Sequence, residues 1–144
     1  MMRTKMILLG MIAFSAVMMA DLSRSNAGVV TDSTTGLQWQ DDYSDNNGSI
    51  KKAVWQDAID YCEALTLDGG RWRLPNIREL NSIVDLSHVD PAIDPTFQHT
   101  ASGHYWSSST GGGTHDDAWN VEFDSGRSNY YDKDDGNYVR CVRS

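Results

Sequence analysis

The polar and apolar positions of this chain place two short strands and then two helices in its first part, and mainly strands in its last. Val29-Val30-Thr31 and Leu37-Gln38-Trp39 are short alternating runs separated by Thr, Ser and Gly, which predicts two strands joined by a turn. Residues 41–49 are polar and read as a loop. From Ile50 to Leu67 the rhythm becomes helical, with Trp55, Ala58, Ile59, Cys62 and Leu65 three or four places apart. Asp68-Gly69-Gly70 should end that helix, because glycine accepts the left-handed backbone of a helix terminus. After Trp72, Leu74 and Pro75, Asn76 predicts a second helix cap, with Glu79 placed to return a bond to it. Ile77, Leu80, Ile83 and Val84 mark its apolar face. Residues 85–103, with Pro91 and Pro95, read as irregular. Strands are then predicted at Tyr105-Trp106-Ser107, Ala118–Phe123, Arg127–Tyr131 and Tyr138–Arg143, with glycines at 111–113 forming a tip. Two early helices and a short-stranded antiparallel sheet make an α+β fold.

The N-terminal stretch stands apart from this pattern. Arg3 and Lys5 precede an apolar run from Met6 to Ala20, shorter than the roughly 20 residues a membrane span requires. Ser25-Asn26-Ala27 then offers small residues at the spacing of a cleavage site. Residues 1–27 are accordingly read as an export signal, with a second possible cut after Ala20, and residues 28–144 as one domain. The alternative is an uncleaved membrane anchor. Export places the domain in the periplasm or outside the cell, with no membrane insertion once the leader is gone.

Composition narrows the partners. The chain has 144 residues, 40% of them apolar, and a formal charge of -8. The leader holds Arg3, Lys5 and Arg24 against one acid, Asp21, so the remainder is more acidic still. Such a surface repels nucleic acid and anionic membranes. Two cysteines, Cys62 and Cys141, predict one disulfide in an oxidising compartment, closing a loop of about 80 residues worth about 4–5 kcal/mol in the chain-entropy model. The bland alternative is two buried free thiols.

Several segments together resemble the Lcl C-terminal domain family. They are the opening stretch from Val29 to Gln40, Trp55 with Ala58 and Tyr61-Cys62, and above all Trp72-Arg73-Leu74-Pro75-Asn76 with Glu79-Leu80 and Ser82 to Asp85. Tyr105-Trp106-Ser107-Ser108-Ser109, Ala118-Trp119 with Val121, Phe123 and Gly126, and Val139 to Arg143 complete the match. The resemblance implies a C-type lectin-like fold in which a disulfide joins the first helix to the last strand, where Cys62 and Cys141 stand. It also implies glycan recognition, since the family is named for a bacterial collagen-like adhesin whose final domain binds sulfated glycans. This chain has no Gly-X-Y stalk, so the trimer that gives such an adhesin avidity is not implied. Its negative charge disfavours sulfated ligands. Leu74-Pro75-Asn76 and Trp119-Asn120-Val121 also lack the acids of a calcium-bridged lectin sugar site.

The remaining chemistry is sparse. Ser107 to Ser109 lie in no hydrolase elbow, the glycines at 111–113 lack the Lys of a phosphate loop, and the four histidines form no His-Glu-x-x-His pair. Neither catalytic residues, a metal site nor a cofactor is expected, although the acidic loops at Asp41–Asn47 and Asp132–Asn137 have the oxygen chemistry of weak calcium ligands. The expected binding surface is the late loops, with Tyr105 and Trp106 as a stacking platform and Ser108, Asp116, Asp132, Asp134 and Asp135 as polar contacts. Arg73, Asn76, Glu79 and Trp119 are expected to be structural, Arg73 and Glu79 as a buried ion pair. The expected partner is a glycan, or alternatively a protein of the cell envelope, with a glycan-acting hydrolase as the third reading.

Overall fold

The alternating and helical stretches resolve into eleven short elements. The computed structural model describes residues 21–113 and 115–144. In chain order they are β1 (Leu22–Arg24), β2 (Val29–Asp32), β3 (Gln38–Gln40), β4 (Lys52–Ala53), α1 (Trp55–Ala64), α2 (Ile77–Ser82), β5 (His104–Thr110), β6 (Asp117–Glu122), β7 (Arg127–Asp132), β8 (Asn137–Tyr138) and β9 (Val142–Arg143). The fold is α+β, with the strands divided between two sheets. One has the order β1-β2-β3-β9 and the other β4-β8-β5-β6-β7; every pairing is antiparallel except β5 with β8.

α1 is shorter than its periodicity predicts. Its N-terminal side is taken by β4, which pairs with β8, and Val54 is extended. At the other end Leu65 is already extended and buried, and a 3-10 turn over Leu67–Gly69 follows. α2 begins as expected: the Asn76 side chain accepts from Glu79 N–H while Glu79 accepts from Asn76 N–H, a complete capping box.

The strand predicted over 138–143 is two strands in different sheets. Arg140 lies between them and turns inward, fully buried, with its guanidinium 3.5 Å from the Asp41 carboxylate and 4.6 Å from the centre of the Phe97 ring. It donates to the carbonyl of His99 and, at 3.0 Å, to Thr100 Oγ1. Asp41 itself accepts from Arg24 Nε at 2.6 Å and from the backbone N–H groups of Gln98 and His99. This buried knot ties the irregular segment before β5 to both sheets. It also removes Asp41 from the acidic loop that sequence offers as a weak calcium site.

Arg24 and its strand fall inside the segment read as a leader. β1 pairs with β2 over three residues, Leu22 opposite Asp32, Ser23 opposite Thr31 and Arg24 opposite Val30. The apolar run and the alternative cut after Ala20 lie outside the described residues, and the described part of the fold extends upstream of residue 28.

Two apolar clusters fill the interior. One gathers Ala58 and Cys62 of α1 with Trp72, Trp106, Ala118 and Cys141. The other lies beneath α2, with Leu80 and Ile83 against Tyr105, Val121, Phe123 and Trp39. Cys62 and Cys141 are disulfide-bonded with Cα atoms 5.4 Å apart, joining α1 to the segment before β9.

Candidate functional site

The end of the five-stranded sheet carries the exposed side chains most suited to a ligand. β6 and β7 pair in register, placing Trp119 opposite Tyr130 and Asp117 opposite Asp132. Side chains alternate along a strand, so these four share one face. The Trp119 and Tyr130 rings meet edge to face with centroids 5.3 Å apart. Tyr130, 45% exposed, is the one exposed Phe, Tyr or Trp side chain among the described residues.

The glycine tip is shaped by these two rings. A Cβ on Gly111 would lie 2.0 Å from Trp119 Nε1, and one on Gly112 would lie 2.4 Å from the Tyr130 ring, where φ is also +85°. Only glycine lets the backbone lie this close to both aromatics. Lys133 fastens the neighbouring loops. Its Nζ donates to Thr110 Oγ1 at 3.0 Å and to the His115 carbonyl at 2.7 Å, and rests 4.0 Å from the centre of the Trp55 ring. Its backbone N–H donates to the Asp116 carbonyl, and its carbonyl accepts from Trp55 N–H. Both turns are thereby held to each other and to the start of α1.

The two aromatics that the sequence offers as a stacking platform are buried instead. Tyr105 and Trp106 are both 0% exposed and cannot stack on a ligand. The Trp106 indole N–H donates to the Ala53 carbonyl, and the Tyr105 hydroxyl accepts from Ala101 N–H. Their alternation points each into one of the two cores. Ser108 is exposed, with its N–H held by the Pro75 carbonyl. Asp116, Asp132, Asp134 and Asp135 are exposed at the tip end of the sheet. Of these four, Asp132 lies on the Trp119–Tyr130 face; its Oδ1 accepts from Asp134 N–H, a turn that holds the carboxylate in place.

Trp119 is partly exposed, so it belongs to the surface as well as to the packing. Arg73 and Glu79 form a bidentate pair at 2.6 and 2.7 Å, but the Arg73 side chain is 43% exposed and the pair is not buried. The contact with Arg73, aided by Asn76 N–H, holds the Glu79 carboxyl below its ordinary range. Tyr130 and Lys133 are the residues sequence reasoning missed. A Tyr in an alternating strand can point either way, and nothing local marks a lone Lys among aspartates as a tie between loops.

Among the described residues no helix is long and apolar enough to cross a membrane, and no group of three or more His, Cys, Asp or Glu side chains converges as a metal site would require. The disulfide fits an oxidising compartment. No curated protein matches the chain. The family model described as the Lcl C-terminal domain matches residues 28–143, most of the sequence and both disulfide cysteines. By that match, the chain belongs to the Lcl C-terminal domain family.

Proposed function

We propose that this chain is an exported, non-catalytic binding module that recognises a hydroxyl-rich, unsulfated glycan at the Trp119–Tyr130 face. Family membership supports the coarser part, a domain of surface or secreted proteins. The observation that carries the finer part is the exposed Tyr130 ring beside Trp119, with the Asp117 and Asp132 carboxylates on the same face. An aromatic ring offers an apolar surface to the C–H face of a sugar. Carboxylates accept hydrogen bonds from its hydroxyls and repel sulfate. The two aspartates sit directly opposite each other, an arrangement that costs stability and that hydroxyl donors would offset. The site operates in the periplasm or at the cell surface and needs no cofactor.

A printed array of neutral and sulfated glycans tests this. The wild-type chain should bind a subset of neutral glycans, and Tyr130→Ala should weaken that binding at least about tenfold while leaving the melting temperature within a few degrees. Equal binding by the variant removes the proposed platform.

A second reading, a docking domain for an envelope protein, is favoured by a different surface. Leu86 and Val89 are 75% and 73% exposed on the segment after α2. Leu86 borders a groove of about 480 Å³ lined also by Leu22, Ile83, Val84, Asp32 and Asp94. Silence across the array, together with a cross-link from position 86 to an envelope protein, selects this reading.

A further inference from the structure

The open edge of the four-stranded sheet meets a groove at Leu22. β1 is the outermost strand of that sheet. Ser25 N–H donates to the Val29 carbonyl and Ser33 N–H to the Asp21 carbonyl, so these are bonded pairs of the β1–β2 ladder. By antiparallel alternation, Leu22 and Arg24 turn their backbone N–H and C=O groups to the outer edge. Among the described residues no strand pairs with that edge. The Leu22 and Asp32 side chains stand opposite each other on one face, and both line the groove of about 480 Å³. Ile83, Val84 and Leu86 supply the rest of its apolar wall. Leu86 is 75% exposed yet held in place. A Cβ on Gly126, in the β6–β7 turn, would lie 2.7 Å from Leu86 Cδ2 and 2.8 Å from Val84 Cγ1, so both side chains pack onto bare backbone.

The charge of the groove is one-sided. Asp32, Asp85 and Asp94 line it, and among the described residues no Lys, Arg or His does. Asp32 is 2% exposed. Its Oδ1 accepts from Thr34 N–H, while among the described residues its Oδ2 has no hydrogen bond and its carboxylate no ion-pair partner. Asp85 meets only the His88 imidazole, 3.8 Å away. A buried carboxylate without a countercharge is unfavourable, and a cation delivered to it offsets that cost. We infer that this corner docks an extended segment of a protein partner, which adds to the edge of β1 and lays a lysine side chain along the groove with its ammonium against Asp32. This placement deepens the docking reading of the groove, rests on it, and is independent of the tip. The added strand bonds to the Leu22 and Arg24 backbone groups, which supplies affinity, and the groove supplies side-chain preference. Lysine fits because its four-carbon stem covers Leu22, Ile83 and Leu86 while its ammonium reaches the acid. Glutamate would meet three carboxylates, and an aliphatic residue would leave Asp32 without a countercharge.

The isotope-labelled full chain is titrated with the acetylated, amidated pentapeptide Thr-Val-Lys-Val-Thr and with its counterparts carrying norleucine or glutamate at the centre. The lysine peptide should saturably shift the Leu22 and Arg24 backbone amides and the Leu86 methyls, and bind at least about tenfold tighter than the norleucine peptide. Asp32→Asn keeps the Oδ1 acceptor for Thr34 N–H. It should abolish the preference for lysine and leave norleucine binding unchanged. Equal binding of the lysine and norleucine peptides to the wild-type chain overturns the inference and leaves the apolar docking reading standing. Shifts at Leu86 without shifts at Leu22 and Arg24 overturn strand addition. No saturable shift with any of the three peptides overturns the whole inference, and the cross-link from position 86 then decides the docking reading by itself. Peptide-independent shifts at Leu22 that grow with protein concentration assign the edge to a second copy of the chain and also overturn it. Where Asp32→Asn fails to fold, the contrast between lysine and norleucine on the wild-type chain decides.

Discussion

Arg73 and Glu79 illustrate how one pair of side chains serves two purposes. Glu79 accepts both guanidinium N–H groups of Arg73 and also the N–H of Asn76, so it anchors the arginine and completes the cap of α2. Partial exposure lowers the value of the pair from the 3–5 kcal/mol lost on breaking a buried one to about 1 kcal/mol. Glu79→Gln should thus lower the melting temperature at pH 7 by about 3–6 °C. The folded-state pKa of Glu79 is depressed, chiefly by the Arg73 hydrogen bond, so its contribution is complete above the ordinary carboxylate value of about 4.3. It is lost as pH falls through the lower folded-state value. The gap between wild type and Glu79→Gln should close on acidification, and a constant gap down to pH 2 contradicts this account. Asn76 and Glu79 were legible from their three-residue spacing, because a capping box is a local device. The exposure of Arg73 was not legible, since it depends on what the rest of the chain leaves uncovered.

Elements were legible where their pattern is local and were misread where distant partners decide. The α2 start, the β2–β3 pair and the alternation of Val121 with Phe123 follow from short-range rules. The early end of α1 and the split between β8 and β9 do not. The first depends on Leu65 being drawn into the core, the second on Asp41 receiving Arg140 from a hundred residues away. β1 is the clearest case. Its three residues carry no strand signal of their own, yet β2 supplies a ladder and Asp41 supplies a partner for Arg24. A chain beginning at Gly28 should melt several degrees below one beginning at Asp21, because it loses both the β1 ladder and a 2.6 Å ion pair to a buried carboxylate. Equal melting curves would show that β1 contributes nothing to the folded domain.

Across the molecule, two ties hold the sheets in a fixed relation. The disulfide joins residues 79 apart in sequence, and the Arg140–Asp41 knot fastens the segment before β5. Against this frame the glycine tip lies on Trp119 and Tyr130, and Lys133 pins the adjoining turns. A surface held this way loses little conformational freedom when a ligand arrives, which favours recognition without large rearrangement. The sequence made the disulfide and the exposure of the late acidic loops legible. The aromatic identity was not, because which ring of an alternating strand faces outward is set by the packing of the whole sheet. The most direct measurement is a two-dimensional NMR titration of the full chain with the strongest glycan from the array. Shifts should concentrate at Gly111–Gly113, the Trp119 indole N–H, Tyr130 and Asp132. Shifts centred instead on Leu86–Val89, or absent from the tip, contradict the account.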